Sequence, residues 1–390
     1  MSAPVICSMD IPRGKRILVT SDIHGHVEHL QNVLRLAEFH ADDVLVIVGD
    51  ILEKGPDSLA ALRYIMQLCQ NGNTIALMGN VDLSRLGSID AFASHPENAA
   101  DFLAYLQMMR DWKGTSFYDE MCKEIGFLPN TTDELLQTLP QILSHFSKEL
   151  TFLRQLPTAL VTSNFLFVHG GIPSPAVENH LSELEDMVPL LKFDNFQTYA
   201  REHHHRFTHT VVCGHWPTSL YSDSIACQNP IIDPQTNTIA IDGGCGLKKE
   251  GQLNLLILPS IDCKLSEISY LSYDGLPTIT ALEQQAASED SVHIHWGDTA
   301  GKVVEIGAEL FLVEHLRTGK QFWMPKEDLY NYQEPLVVGS FVDLNDWTDY
   351  YPNIKPGDTL SVVRRLTYGI QIKKNGVTGW YTGDYREKEC

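Results

Sequence analysis

Apolar and polar residues change places in blocks along the first eighty positions. Arg16-Ile-Leu-Val-Thr-Ser21 is a short apolar run ending in a polar turn, which predicts a strand. Val27, Leu30, Val33, Leu34 and Ala37 then recur at helical spacing. Val44-Leu-Val-Ile-Val48 predicts a second buried strand, Leu59, Leu62, Ile65, Met66 and Cys69 a second helix, and Thr74-Ile-Ala-Leu-Met78 a third strand. This alternation implies parallel pairing with right-handed crossovers, an α/β arrangement.

Residues 84 to about 157 lack strand runs and read as a helical insertion or cap, interrupted at Gly114, Pro129 and Pro140. Strand-like runs return at Phe165-Leu-Phe-Val-His169, Thr210-Val-Val-Cys213, Thr238-Ile-Ala-Ile-Asp242 and Leu253-Asn-Leu-Leu-Ile-Leu258. From about 270, turn signals such as Thr318-Gly, Pro356-Gly-Asp and Asn375-Gly separate short alternating segments, the mark of a small all-β region. The expected organisation is an α/β domain over 1–270, a connecting arm at 271–289 and an all-β region over 290–390. The last divides into modules near 290–334 and 335–390.

Charge narrows the partners. A formal charge of −21 argues against nucleic acid, whose binders gain most affinity from Lys and Arg meeting phosphates. It leaves room for a small phosphorylated substrate, since metal charge can dominate locally. The eight cysteines are scattered without a Cys-x-x-Cys pair and read as reduced thiols. No basic start followed by an apolar run is evident, and no apolar stretch approaches the roughly 20 residues that span a bilayer. A cytoplasmic protein with no membrane partner is expected.

The candidate chemistry lies at the carboxyl ends of the predicted strands, where α/β sheets build their sites. Ser21-Asp22-Ile-His24-Gly25, Gly49-Asp50, Gly79-Asn80, His169-Gly170-Gly and Gly214-His215 each follow an apolar run. Any one of these is an ordinary turn. Together they deliver two carboxylates, three imidazoles and an amide to one edge. Mixed ligands of this kind suit Mn, Fe or Zn better than Ca. Two ions about 3.5–4 Å apart supply what phosphate-ester hydrolysis needs, a nucleophile and neutralised phosphate oxygens, with Asp50 the natural bridge. Glycines such as Gly25 and Gly170 let the backbone turn sharply and approach phosphate.

Ser-Asp-Ile-His-Gly, Gly-Asp-Ile-Leu-Glu-Lys-Gly-Pro-Asp-Ser, Gly-Asn-Val-Asp, Val-His-Gly-Gly-Ile and Cys-Gly-His-Trp-Pro-Thr resemble the calcineurin-like metallophosphoesterases over residues 16 to about 258. They are most similar to the bacterial phosphoprotein phosphatase branch, which includes Ser/Thr phosphatase-like enzymes and symmetrical diadenosine tetraphosphatases. The resemblance implies a four-layer α/β/β/α sandwich. It also implies that Asp22, His24 and Asp50 hold one ion and Asp50, Asn80, His169 and His215 the other, with two divalent ions as cofactors. Mn is the first expectation for those ions, and Fe or Zn the alternatives.

Three positions depart from the branch: Val81 replaces a His similar to a general acid, Lys54 replaces a phosphate-binding Arg, and Trp216 replaces a small polar residue. Glu53 aligns with the acidic partner of the missing His. General acid catalysis is worth about 10²–10⁴ in rate, so its loss predicts a bias toward anhydrides and good leaving groups. Asp82 is a candidate substitute acid, and His26 reads as a surface residue at a helix start. The expected activity is Ser/Thr protein phosphatase-like: hydrolysis of phosphomonoesters or phosphoanhydrides by a metal-activated hydroxide, with Lys54 holding phosphate oxygens. The substrate is a phosphorylated protein or a small phosphate compound. A dinucleoside polyphosphate hydrolase is the alternative, and a non-catalytic metal-binding protein that holds a partner is a third reading.

Smaller signals remain open. Asp242, in Ile241-Asp242-Gly-Gly-Cys245, either orients a ligand His or is a turn carboxylate. His203-His204-His205 with Arg206 and His209 reads as a polar helix end, with Arg201 and Arg206 as phosphate candidates. The tail aromatics resemble the end of a bacterial SH3-like module and read either as a groove for a peptide or protein partner or as the core of a tiny barrel, with Trp380 read as core.

Overall fold

The computed structural model describes residues 5–171, 209–367 and 369–387. The His203–His205 cluster, Arg201 and Arg206 lie outside them. The chain divides into two compact units, residues 1–218 with 230–274 and residues 219–229 with 275–390.

The first unit is built on two sheets. Strands β1 (Ile6–Ser8), β2 (Ile17–Thr20), β3 (Val44–Ile47), β4 (Thr74–Ala76), β5 (Ala159–Val161), β6 (Phe165–Val168), β7 (Thr210–Cys213), β8 (Ile231–Asp233), β9 (Thr238–Ala240), β10 (Leu253–Leu258) and β11 (Ser269–Tyr273) follow in chain order. One sheet runs β11-β10-β2-β3-β4, and the other β1-β5-β6-β7-β9-β8. The predicted β2-β3-β4 pairing is parallel, Ile17 opposite Val44 and Leu45 opposite Thr74.

Alternation along β2 and β3 explains the layering. Ile17, Val19, Val44 and Val46 meet Leu160, Phe165, Phe167, Val212 and Ile239 in one core between the sheets. Leu18, Leu45 and Ile47, on the opposite face, meet Leu30, Val33, Leu62 and Ile65 of helices α1 (Val27–Leu36) and α2 (Ser58–Gln70). Both faces of this sheet are therefore buried, which is why its strands read as continuous apolar runs.

The insertion is helical as predicted, with α3 (Asn80–Ser94), α4 (Ala99–Lys113), α5 (Phe117–Glu124), α6 (Thr132–His145) and α7 (Ser147–Gln155). Two details differ. Helix α3 begins at Asn80, so the metal-ligand candidate is its first residue and the helical stretch opens before residue 84. Helix α6 runs through Pro140, because Leu135, Leu139 and Ile142 bury on the core. Packing there outweighs the roughly 3 kcal/mol a helix-interior proline costs.

The second unit is all β. One five-stranded sheet contains Ala300–Ile306, Leu310–His315, Gln321–Pro325, Leu329–Tyr330 and Phe341–Leu344. The other contains Thr278–Ala281, Thr359–Leu366, Gly369–Lys374, Val377–Tyr381 and Tyr385–Glu387. The sheets do not divide at 334/335. Phe341–Leu344 pairs with Ala300–Lys302, and Thr278–Ala281, from the expected arm, is a paired strand. Residues 219–229 join this unit through Gln228, whose N–H donates to Gly376 O at 2.8 Å. Trp380 is core, its ring 5.1 Å from that of Trp347. No helix among the described residues is long and apolar enough to cross a membrane.

Candidate metal centre

Five loops bring the six predicted ligands together. Asp22 and His24 follow β2, Asp50 follows β3, Asn80 opens α3 after β4, His169 follows β6 and His215 follows β7. The loops are bonded to one another. Asp22 N–H donates to Gly49 O and His24 N–H to Asp50 O, each at 3.0 Å. His215 N–H donates to Asp22 Oδ2 at 3.0 Å, tying the two sheets at the site. Asp22, His24, Asp50, Glu53, Lys54 and His215 all sit at left-handed φ, between 48° and 71°. Such backbone costs of order 1–3 kcal/mol per residue away from glycine, and it clusters where function demands it.

Asp50 stands between two groups of donors. Its Oδ2 is 3.6 Å from His24 Nε2, and its Oδ1 is 3.4 Å from His169 Nε2. Asp22, His24 and Asp50, all buried, place one donor atom each within 4.8 Å of one another. On the other side, Asn80 Oδ1 lies 2.9 Å from both His169 Nε2 and His215 Nδ1. The imidazoles are aimed by main chain. His24 Nδ1 donates to Leu52 O at 3.1 Å and His169 Nδ1 to Val48 O at 2.9 Å, which turns each Nε2 toward the centre.

A family model for calcineurin-like phosphoesterases matches residues 15–240. The chain belongs to the calcineurin-like phosphoesterases. A symmetrical bis(5'-nucleosyl)-tetraphosphatase of Nitrosospira multiformis is 37% identical over 268 residues, 59% of this chain and 88% of that one. The counterpart from Aeromonas salmonicida is 44% identical over 73 residues, 18% of this chain and 26% of that one. The match with the Edwardsiella ictaluri protein is as short, covering 24% of the relative's length. A protein serine/threonine phosphatase from Saccharomyces cerevisiae has a TM-score of 0.43 at 13% identity, covering 70% of this chain and 84% of that one.

Phosphoesterases of this family use divalent metal ions, and this chain carries a candidate site for them. Its residues fit such ions. Asp22 Oδ1 is buried without a hydrogen-bond partner, an expensive arrangement unless a cation meets it. Glycines leave the room that ligation needs. A Cβ at Gly79 would overlap Asp50 Oδ1, one at Gly214 would overlap Asp22 Oδ2, and one at Gly49 would come within 2.8 Å of His169 Nδ1.

Electrostatics within the phosphoesterase centre divide the histidines. Burial pulls His24 down to about 3, helped by the Lys54 ammonium, whose Nζ is 3.0 Å from His24 Nε2. Burial also lowers His215, to about 4, with the charge of His169 adding to it. For His169, burial is outweighed by Asp50 and Asp22, which raise it to about 10. Burial pushes Asp50 up, but His169, His24 and Lys54 together outweigh it and hold the carboxylate below its ordinary range. His24 and His215 are thus neutral candidate ligands, and His169 would have to give up a proton to join them.

The structure assigns other work to several expected site residues. Asp82 accepts N–H bonds from Ile51, Leu52 and Gly79 at 2.9, 3.0 and 3.1 Å, and it is fully buried. It braces the Asp50 loop, and its oxygens are occupied, which opposes the role of substitute acid. Glu53 pairs with Arg85 and accepts from Phe117 N–H at 3.1 Å, so it too serves the insertion. Asp242 Oδ1 accepts from Gly244 N–H at 2.7 Å, the turn-carboxylate reading, while the carbonyls of Leu52 and Val48 do the orienting expected of it. Gly25 lies against Asp57 and Ser58 at the start of α2, and Gly170 is in the buried turn after His169. His26 is half-buried, its Nδ1 3.0 Å from His24 O, and so is no plain surface residue. Arg85 carried no signal in the sequence, because the partner that explains it lies 32 positions away.

Proposed function

We propose that this phosphoesterase holds two divalent ions and hydrolyses phosphoanhydrides, of the dinucleoside polyphosphate kind, in preference to phosphoserine or phosphothreonine esters. One ion is held by Asp22, His24 and Asp50, the other by Asp50, Asn80, His169 and His215. When bound, such a pair lowers the pKa of a water to near neutrality and neutralises phosphate charge. Mn is favoured by the mixed carboxylate, imidazole and amide donors, ahead of Fe and Zn.

The chain's own groups do the rest. Asp50 presents one oxygen to each donor group, fixing the spacing of the two positions. Lys54 stands at the edge of the centre and neutralises a phosphate oxygen by charge, without the two-pronged geometry of Arg. Water gives up a proton to solvent and attacks phosphorus in line, the bond to the leaving oxygen breaks, and that oxygen departs as an anion.

The observation that carries the preference is Val81. It is buried next to Asp50, with its N–H 2.9 Å from Asp50 Oδ1, where the related branch has a proton donor. Glu53 and Asp82 are both committed elsewhere. A leaving group that needs no proton, such as a nucleotide polyphosphate, is least affected by that loss. The names of the Nitrosospira and Aeromonas relatives support the same reading.

The test is a panel with Mn: diadenosine tetraphosphate, a series of aryl phosphates and a phosphoserine peptide. The expected result is turnover of the anhydride, with aryl phosphate rates falling steeply as leaving-group pKa rises. Phosphoserine turnover equal to that of the best aryl phosphate would overturn the preference.

A further inference from the structure

Within the first unit, a pocket of about 420 Å³ opens beside the metal centre. Small-molecule sites typically measure about 300–1,000 Å³. Its wall sets Lys54, Lys248 and Lys249 against one carboxylate, Asp274, beside His26 and His29, whose imidazoles burial pulls down. This runs against the trend of the chain, in which 50 Asp and Glu outnumber 29 Lys and Arg.

Lys54 belongs to both places. It lines the pocket, and its Nζ lies 3.0 Å from His24 Nε2. The opposite wall is the turn between β9 and β10, and it is seated on the ligand loop. Cys245 is buried, with its thiol 3.9 Å from Ile23 O. A Cβ at Gly246 would stand 3.1 Å from His24 Cβ. Leu247 and Lys248 N–H groups both donate to Gly244 O at 3.0 Å, which fixes the backbone from which the two lysines extend.

We propose that this pocket is an anion subsite that takes a second phosphate group while the first lies at the metal centre. Lys248 and Lys249 are then specificity-determining residues for a phosphoanhydride chain of at least two phosphates. The inference rests on the phosphoesterase reading above and names the part of the substrate beyond the scissile phosphate. Ammonium groups suit this task, since each is a compact charge with three donors that adapts to a flexible chain of phosphates. Asp274 limits the pocket's net charge, so the subsite should discriminate by number of phosphates and not bind anions indiscriminately.

The test compares tripolyphosphate with p-nitrophenyl phosphate on the Mn-loaded full chain, in the wild type and in Lys248→Ala/Lys249→Ala. The expected result is a KM for tripolyphosphate raised at least about tenfold with kcat within about twofold. Both constants for p-nitrophenyl phosphate stay unchanged, and Lys248→Arg/Lys249→Arg recovers most of the lost affinity. Calorimetric binding of methylenebisphosphonate, a non-hydrolysable diphosphate, to the same Mn-loaded proteins reads the pocket without turnover, and the alanine variant should weaken it by a similar factor. An unchanged tripolyphosphate KM, or equal losses on both substrates, would overturn the subsite. No turnover of either compound by the wild type, with bisphosphonate binding still dependent on the lysines, would sink the phosphoesterase reading and leave the subsite standing.

Discussion

Glu53 Oε2 lies 2.5 Å from Arg85 Nε, an ion pair buried between the loop after β3 and the first helix of the insertion. The carboxylate that the related branch sets beside a catalytic histidine here holds structure together. Its other oxygen accepts from Phe117 N–H at the start of α5, so Glu53 clamps α3 and α5 to the metal loop.

Removing Arg85 therefore strands a carboxylate that is 4% exposed. Arg85→Ala is expected to lose about 3–5 kcal/mol of stability, the usual consequence of leaving one member of a buried pair alone. Glu53→Gln/Arg85→Met should recover most of it. Urea denaturation reads both, and a loss for Arg85→Ala below about 1 kcal/mol, as for an exposed pair, would contradict the clamp.

The insertion also carries a titrating contact. Glu120 of α5 accepts from Ser58 Oγ at 2.8 Å and Leu59 N–H at 3.0 Å, at the start of α2. Burial outweighs these bonds and raises it from its ordinary 4.5 to about 7. Between those values the folded chain keeps a proton that the unfolded chain has lost, so stability falls as pH rises through that window. Glu120→Gln should flatten that slope and be neutral or stabilising at pH 8, by at most about 3 kcal/mol. Thermal melts across pH check this, and an unchanged slope would count against it.

Metal uptake should be coupled to protons through His169. Its Nε2 keeps a proton up to about 10 beside Asp50, whereas His24 and His215 are already neutral at pH 7. Affinity is thus expected to rise with pH from 7 toward 10, with about one proton released per chain on loading. Calorimetry in buffers of different ionisation enthalpy counts that proton, and an uptake independent of buffer would refute the coupling.

The strands that carry the ligands were legible because each is a short apolar run closed by a glycine or a polar residue. Val44–Ile47 is buried on both faces and could hardly read otherwise. The six candidate ligands stood out for the same reason, as polar residues at the ends of such runs. Helical insertions also show in sequence, although not that α3 starts on Asn80 itself. What could not be read were roles set by contacts distant in sequence. Asp82 looks like a free acid until three N–H groups from two loops are seen to occupy it. Arg85 and Glu53 show no sequence relation, and Lys248 and Lys249 carry no signal in sequence until they are found lining one pocket with Lys54. In the second unit, turn signals located the strands but not their partners, so Thr278–Ala281 passed for an arm although it pairs on both sides.

Asp50 is expected to serve two cation positions at once, one through each oxygen. The direct measurement is metal content per chain, after dialysis against Mn, for the wild type and Asp50→Asn. Two ions per wild-type chain are expected, with at least one lost in the variant together with hydrolysis of diadenosine tetraphosphate. Asp50→Asn retaining both ions and full turnover would rule out Asp50 as the shared carboxylate.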